Sequence, residues 1–282
     1  MSVDANILDP LDVEQFFKLV EKNIGVDLDL EKTYLVSSRL THIVKQRGFD
    51  NHAQLLRHLI TSPVSDLHWQ AFEAMTTNET SFFSDGNPFE VLHKSIFPAL
   101  IESRQQVREL NIWSAAASTG QEPYSIAILL REHFPELAKW NIQIWATDIS
   151  EQALDKASLG IYNEAEMKRG LSEAQMSRHF TKLANGHYQI QDDLRSMVKF
   201  RQMNLIQDWP LMPKFDLILI RNVLIYFNQD TKARIIKKLH SQLSHSEACL
   251  MLGSSESILF DKSFKAIQLD RVSYYQKEKP QL

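Results

Sequence analysis

The sequence predicts an α/β protein in which an all-helical domain precedes a mainly parallel sheet with helices on both faces. Apolar residues recur at helical spacing through residues 1–75, and no strand-like alternation occurs before residue 85. From Glu109 onward, short apolar strands alternate with helical stretches. This alternation predicts a parallel sheet, because parallel neighbours need connections that cross over the sheet.

Four helices are expected in the N-terminal domain, residues 1–75. Gly48 is placed to end the second helix, Asp50 or Asn51 to cap the third, and Pro63 to close it. The apolar positions that mark the four helices are Phe16, Leu19, Val20 and Ile24, then Leu35, Val36, Leu40, Ile43 and Val44, then Leu55, Leu56 and Leu59, then Leu67, Phe72 and Met75.

Residues 76–88 are expected to link this domain to a second one, residues 89–282. Helices over 123–134 and 229–243 connect the predicted strands. The strands expected are Leu110–Ala117, Ile142–Thr147, Met197–Met203, Phe215–Ile220, Ala248–Gly253, Phe264–Leu269 and Val272–Gln276. The last two strands are too close for a crossover, so they predict a hairpin that adds an antiparallel edge.

One segment does not follow this alternation. Residues 159–195 contain a predicted helix over 172–180, a turn at Asn185-Gly186 and a short alternating strand over 187–191. We interpret the segment as a small β-subdomain inserted between strands of the sheet.

Composition excludes several classes of protein. The net charge of -4 argues against a nucleic-acid binder, and the single cysteine, Cys249, excludes an internal disulfide. Apolar neighbours make Cys249 a buried strand residue, and no apolar stretch reaches the roughly 20 residues of a membrane helix. Neither a signal peptide nor a metal-ligand motif such as HExxH or CxxC is apparent. We expect a soluble, cytoplasmic monomer without a metal ion.

Small and polar residues follow the predicted strands. Ligands of doubly wound sheets bind at the carboxyl ends of the strands. The first strand runs into the small residues 115–120, which let a backbone approach a ligand but are equally consistent with a tight connection. Asp148 follows the second strand and can accept ribose hydroxyls or cap a helix, a role that Ser150 also suits. Asn204-Leu205 and Arg221-Asn222 follow the next two strands, and the four strand ends together predict a nucleoside-type ligand.

Five motifs in order resemble the chemotaxis receptor methyltransferases of the CheR family. They are TTNETSFF (76–83), IWSAAASTGQEPYS (112–125), ATDIS (146–150), FRQMNL (200–205) and FDLILIRNVLIYF (215–227). The resemblance spans residues 11–275. It implies a class I S-adenosylmethionine-dependent methyltransferase fold, Rossmann-like, with a helical N-terminal domain and an inserted β-subdomain.

The resemblance also implies an activity: methylation of glutamate side chains on the cytoplasmic helices of chemoreceptors, with S-adenosylhomocysteine as product. By motif, the cofactor contacts are Asn78, Thr80, Glu122, Asp148, Asn204, Leu205, Arg221 and Asn222. Tyr226 matches the tyrosine near the transferring methyl group. If a helix begins at Asn222, Asn222 and Tyr226 face the same cleft. The less favoured alternative is that Tyr226 is a core aromatic residue between Ile225 and Phe227.

The chain departs from the family pattern at Ser84, where members commonly carry arginine after the paired phenylalanines. A second hypothesis is therefore a cofactor-binding signalling or scaffold protein with little turnover, and a third is a methyltransferase of small carboxylic acids. A smaller departure is GSSES (253–257), where histidine is common at the second position.

A possible receptor-docking edge lies on the second predicted helix, where Arg39, His42 and Lys45 recur every three residues. Such an edge attracts an acidic receptor helix bundle, although by spacing alone it is a solvated helix face.

Overall fold

The computed structural model describes residues 8–278, and the chain divides into two compact units. The first unit comprises residues up to Thr77 together with 205–207 and 226–232, which come from the C-terminal half of the sequence. The second unit comprises 78–204, 208–225 and the residues from Ala233 onward.

The first unit holds the four helices that the sequence predicts. They are α1 (Pro10–Ile24), α2 (Tyr34–Arg47), α3 (His52–Thr61) and α4 (Asp66–Ala74). Gly48 ends α2 in the left-handed conformation, with φ 73°, and its N–H donates to the carbonyl of Val44. Asn51 caps α3 by accepting a hydrogen bond of 2.9 Å from the N–H of Gln54.

The core of this unit forms because each helix buries one apolar stripe. α1 buries Phe16, Phe17 and Val20 and packs on α3, which buries Leu55 and Leu56. Each of these side chains contributes roughly 1.5–3 kcal/mol by leaving water, which exceeds what helix propensity supplies.

The second unit is built on a seven-stranded sheet. Its strands are β1 (Glu109–Ala115), β2 (Asn141–Asp148), β6 (Val198–Gln202), β7 (Leu217–Ile220), β8 (Cys249–Leu252), β9 (Phe264–Leu269) and β10 (Val272–Lys277). Their order is β6-β2-β1-β7-β8-β10-β9. The first five strands are parallel, and β10 pairs antiparallel with both β8 and β9. The predicted fold class, including the antiparallel edge hairpin, is confirmed.

The connecting helices of the sheet are α7 (Gln121–His133), α8 (Glu151–Leu159) and α12 (Gln229–Gln242). Before β1 lie α5 (Asn87–Val91) and α6 (Phe97–Arg104), joined by a π-helical turn over Leu92–Ile96. The sequence analysis assigned no element to residues 89–108. The sequence does contain signals of helix formation here. Pro88 and Pro98 stand near the starts of α5 and α6, and a buried apolar stripe runs through both helices.

The inserted subdomain contains a separate three-stranded sheet of order β3-β5-β4. Its strands are β3 (Ile161–Tyr162), β4 (Phe180–Lys182) and β5 (Tyr188–Ile190), and its helices are α9 (Glu164–Lys168) and α10 (Glu173–His179), followed by α11 (Asp192–Arg195). β5 corresponds to the predicted strand, whereas β3 and β4 were missed. Strands of two or three residues are too short to show alternation, and Phe180 was wrongly assigned to the preceding helix.

Cys249 lies in β8, buried as expected, and burial raises the pKa of its thiol to about 12. A neutral, enclosed thiol is a poor nucleophile, which agrees with its interpretation as a strand residue. Within residues 8–278, no helix has both the length and the apolar character needed to cross a bilayer.

At the amino edge of the sheet, the fully buried carboxylate of Asp216, which directly precedes β7, contacts β1, the end of α6 and the segment before β8. It accepts hydrogen bonds of 2.8 Å from the N–H of Asn111 and from the hydroxyl of Ser244. Arg104 and His245 lie 3.4 Å and 3.3 Å from its Oδ1. Burial opposes ionisation, but His245, the N–H of Asn111, Ser244 and Arg104 together lower the pKa of Asp216.

Candidate functional site

The carboxyl ends of β1, β2 and β7 meet at the centre of the sheet. β1 is paired with β2 on one side and β7 on the other, so the crossovers diverge to opposite faces beside it. This topological switch point is where ligands of open α/β sheets bind.

The loop after β1 adopts a backbone that most residues avoid. Ala116 and Ser118 have φ of 62° and 49°, and Gly120 has φ of 93°. A Cβ on Gly120 would lie 2.9 Å from the Cβ of Ala157 and 3.1 Å from the hydroxyl of Tyr162, so only glycine fits. Left-handed non-glycine residues cost of order 1–3 kcal/mol each and concentrate at functional sites.

Asp148 ends β2 and is buried, and its carboxylate holds this loop in place. One oxygen accepts from the N–H of Ser118 at 2.8 Å and the other from the N–H of Ser150 at 2.9 Å. Burial raises the pKa of Asp148, against the lowering effect of these backbone N–H groups. Ser150 itself caps α8, so the cap is not Asp148. Because an ionised carboxylate has about four lone-pair positions, Asp148 retains room for further donors.

A second cluster lies between the ends of β1 and β7. The guanidinium of Arg221 donates to the Glu122 carboxylate at 3.0 Å and to the Asp85 carboxylate at 2.8 Å, and also to the carbonyl of Ser84. Glu122 accepts a further hydrogen bond of 2.8 Å from the hydroxyl of Ser114. Sequence reasoning missed Ser114 and Asp85, although both stand inside or beside motifs that it singled out.

The remaining predicted cofactor contacts of the second unit surround these clusters. The carbonyl of Asn78 accepts from the Ser118 hydroxyl at 2.9 Å, which ties residues 78–84 to the loop after β1. Thr80 is half-buried in the same stretch. Asn204 follows β6, where the N–H of Met203 donates to the carbonyl of Asp148 at 2.8 Å. Asn222 follows β7 with φ 59°.

Leu205 and Tyr226 belong to the first unit. Leu205 is buried and Tyr226 is half-buried. The expectation that a helix starts at Asn222 is wrong. Asn222 has a left-handed backbone outside any helix, and a 3-10 turn, Leu224–Tyr226, follows it. The four-residue spacing of a helix therefore does not relate Asn222 to Tyr226.

Arg39, one of the three residues of the expected docking edge, is half-buried and makes contacts within the first unit. Its guanidinium donates to the carbonyls of Met75 and Thr76 at 2.7 Å and 2.8 Å, and to the hydroxyl of Thr77 at 3.0 Å. These are the carbonyls at the end of α4, where an arginine satisfies groups that the helix leaves unpaired. His42 and Lys45 are exposed on α2.

The second unit fits an adenosyl cofactor. The strained loop after β1 lies at the switch point, and Asp148 is an acceptor at the end of the next strand. The Nε of Arg221 is buried without a hydrogen-bond partner among residues 8–278. A buried donor left unpaired is costly, so it suits a ligand acceptor.

Comparison with known proteins places the two units in one family. The family model described as "CheR methyltransferase, SAM binding domain" matches residues 78–273, and "CheR methyltransferase, all-alpha domain" matches residues 11–76. A protein of Pseudomonas putida named chemotaxis protein methyltransferase Cher2 is 39% identical over 88% of this chain and 90% of its own length.

Two further relatives cover similar shares. Chemotaxis protein methyltransferase 1 of Pseudomonas aeruginosa is 39% identical over 88% of this chain and 90% of its own length. A chemotaxis protein methyltransferase of Borreliella burgdorferi is 33% identical over 91% of each. The chain belongs to the CheR methyltransferase family, and it is an S-adenosylmethionine-dependent methyltransferase of chemotaxis.

Proposed function

We propose that the chain transfers the methyl group of S-adenosylmethionine to glutamate side chains on the cytoplasmic helices of chemoreceptors, giving glutamate methyl esters in the cytoplasm. The relatives named chemotaxis protein methyltransferases support the pathway. The observation that carries the proposal is the arrangement of Asp148, Glu122 and Arg221 at the switch point of the sheet.

Each predicted contact has a proposed task at this edge. Asp148 accepts the ribose hydroxyls with the lone pairs that its backbone partners leave over. Arg221 directs its unpaired Nε to an acceptor of the cofactor, while Glu122 and Asp85 hold the guanidinium in position. Asn78, Thr80, Glu122, Asn204, Leu205 and Asn222 keep their proposed roles as further cofactor contacts, Leu205 by the match of its motif.

The methyl transfer requires little of the protein beyond binding the cofactor and aligning the acceptor carboxylate with the methyl group. Bound S-adenosylmethionine supplies a methyl group on a positively charged sulfur, so no separate activation of the donor is needed. A glutamate carboxylate, with an ordinary pKa of ~4.3, is already ionised and nucleophilic at neutral pH, so no general base is required. One carboxylate oxygen bonds to the methyl carbon while the sulfur–carbon bond breaks and its electron pair stays on sulfur.

Tyr226 is the residue proposed to orient the incoming carboxylate through its hydroxyl. An oxygen held in line with the methyl group reacts faster because the orientation is established before the chemical step. This role depends on the match of FDLILIRNVLIYF (215–227) to the family motif.

Receptor docking is proposed for the N-terminal domain, residues 1–75, with residues 76–88 as the loop that contributes to the cofactor site. His42 and Lys45 are exposed side chains of α2 and are proposed to meet an acidic helix bundle. Arg39 supports that surface indirectly, by fixing the end of α4.

The deciding experiment incubates the purified chain with methyl-labelled S-adenosylmethionine and receptor-containing membranes. We expect label on the receptor that is released as methanol in base, as an ester requires. Cofactor binding without transfer to any acceptor favours the scaffold hypothesis raised by Ser84. Transfer only to small carboxylic acids favours the third hypothesis, and either result contradicts the proposal.

A further inference from the structure

Glu256, which stands in the loop after β8, binds the backbone of two loops at the carboxyl edge. Its Oε2 accepts from the N–H of Asn222 at 2.9 Å and from the N–H of Gly253 at 2.8 Å. Its Oε1 faces the N–H of Ile225 at 3.3 Å. One carboxylate therefore joins the loop after β7 to the loop after β8.

The geometry around Glu256 is close-fitting. A Cβ on Gly253 would lie 2.8 Å from the backbone nitrogen of Asn222, 2.8 Å from Oε2 of Glu256 and 3.0 Å from Oδ1 of Asn222. Contacts this short force a shift of backbone, so a glycine is required at position 253. The two loops approach this closely because Glu256 takes up the N–H groups of both.

Asn222 needs such support because its backbone is strained. With φ of 59° it lies in the left-handed region, which asparagine tolerates better than most residues but which still costs free energy. A conformation of this kind persists when the surroundings hold it, and Glu256 contacts its N–H directly. The second contact, to Ile225, is to the residue immediately before Tyr226 in the sequence.

We infer that Glu256 is a positioning residue for methyl transfer: it sets the backbone of Asn222 for cofactor binding and the start of the turn that carries Tyr226 for transfer. The inference rests on the proposed function for the roles of Asn222 and Tyr226. The segment GSSES (253–257) thereby contributes to the reaction, because its glutamate holds the backbone of the loop after β7.

The Glu256 carboxylate offers only acceptors and its three partners are all donors. Replacing it with glutamine, which has nearly the same shape, therefore tests the inference. All three contacts come from N–H donors, and an ionised carboxylate only accepts. Glu256→Gln keeps one acceptor oxygen, enough for Asn222 and Gly253, but turns an NH2 group toward the N–H of Ile225. Glu256→Ala removes all three acceptors.

The first test needs no cofactor. Hydrogen exchange followed by mass spectrometry on the free protein is expected to show faster exchange of the segment 221–226 in Glu256→Gln, and faster still in Glu256→Ala. Exchange unchanged within twofold in both variants would overturn the inference, because the N–H groups would then not depend on Glu256.

The second test separates binding from transfer. We expect Glu256→Gln to lower kcat about tenfold while affinity for S-adenosylhomocysteine, measured by calorimetry, stays within about threefold, because Asn222 keeps its acceptor. Glu256→Ala is expected to lose about tenfold in that affinity as well. Equal loss of kcat and affinity in both variants would contradict the division of roles.

The matched control is Glu132→Gln. Glu132 is also a partly buried glutamate with several partners, Gln175, Arg178 and His179, but it lies on α7 against the inserted subdomain. We expect its melting temperature to fall without the split between kcat and affinity. The same split in this control would overturn the inference. If the wild-type chain binds S-adenosylhomocysteine but methylates no receptor, the proposed function fails, while the exchange and calorimetry results still decide the role of Glu256.

Discussion

The amino edge and the carboxyl edge of the sheet contain the same kinds of side chains, but these side chains serve different purposes. At the amino edge, the Asp216 carboxylate is enclosed by donors from three segments, with the positive charge of Arg104 at 3.4 Å and the His245 ring at 3.3 Å. At the carboxyl edge, Asp148 holds two N–H groups but keeps spare acceptor positions, and Arg221 keeps a buried Nε without a partner among the described residues.

Backbone strain follows the same division. Ala116, Ser118 and Asn222, at the carboxyl ends of β1 and β7, all have positive φ. At the amino edge, Asn111 and Ser244 have ordinary backbone, and Arg108, which directly precedes β1, is an exception with φ of 53°. His245 Nε2, at the amino edge, is also buried without a hydrogen-bond partner within residues 8–278, but it lies 3.3 Å from the Asp216 carboxylate. The carboxyl edge combines more strained residues with spare acceptor positions on Asp148, and this combination leaves capacity for a ligand.

The largest effect that this comparison predicts is on cofactor binding by Asp148→Ala. The variant loses the proposed ribose acceptors and releases the N–H of Ser118, so affinity for S-adenosylhomocysteine should fall about 100-fold, as expected for two hydrogen bonds to a charged group. Calorimetric titration measures this, with Asp216→Asn as the control that keeps its affinity. Unchanged affinity in the Asp148 variant would refute the ribose contact.

Asp216→Asn should act on stability instead. Removing the charge leaves Arg104 and His245 without their partner, and because both are partly exposed we expect a loss of about 2 kcal/mol in the free energy of unfolding. Urea unfolding at pH 7 tests this. A variant as stable as the wild type, or one that binds cofactor weakly while folded, would remove the contrast between the edges.

The same carboxylate predicts a dependence on pH. Its folded pKa is lowered, so its contribution is present above the ordinary aspartate pKa of ~3.9 and is lost as pH falls through the folded value. The stability difference between the wild type and Asp216→Asn should therefore shrink as the pH is lowered from about 5 to below that range. A difference that stays constant with pH would show that the charge of Asp216 is not what stabilises the edge.

Whether a helix or strand could be predicted from the sequence depended on how many residues its hydrophobic pattern spans. β7 was recognised because four apolar residues, LILI, occur in succession, and α2 because Gly48 ends it. β3, of two residues, offers no periodicity. The strand-end residues Asp148 and Arg221 were found from their place in the pattern, because parallel strands bring their carboxyl ends together.

The hydrogen-bond partners of the strand-end residues could not be predicted from the sequence. Asp85 lies 136 positions from Arg221, and nothing in the spacing joins them. The bonds from Arg39 to the carbonyls of Met75 and Thr76 were also not foreseen, because helical spacing places residues on a face without saying what packs there. The left-handed conformation of Asn222 is likewise set by Glu256 and Gly253 from another loop.

Tyr226→Phe is expected to slow transfer without weakening binding. If the hydroxyl orients the acceptor carboxylate, its loss should lower kcat about tenfold while cofactor affinity stays within twofold. Tyr274→Phe, on β10, is the matched control and should leave both quantities unchanged. A normal kcat in the Tyr226 variant would make that residue a packing aromatic only.

The smallest effect concerns Ser84. Its carbonyl accepts from Arg221, whose charge is already opposed by Glu122 and Asp85. Ser84→Arg adds a cation beside these acids and should lower the KM for receptor about threefold by attracting the acceptor carboxylate. Ser84→Gln, of similar length without charge, should not. A KM that is the same in both variants would mean that charge at this position does not steer the acceptor.

The most direct test of the account is a crystal structure of the chain with S-adenosylhomocysteine. We predict the ligand at the carboxyl ends of β1, β2 and β7, with its ribose hydroxyls on the Asp148 carboxylate and an acceptor group within hydrogen-bond distance of Arg221 Nε. A ligand seated elsewhere, or one that leaves Asp148 and Arg221 without contact, would contradict the assignment of function to this edge of the sheet.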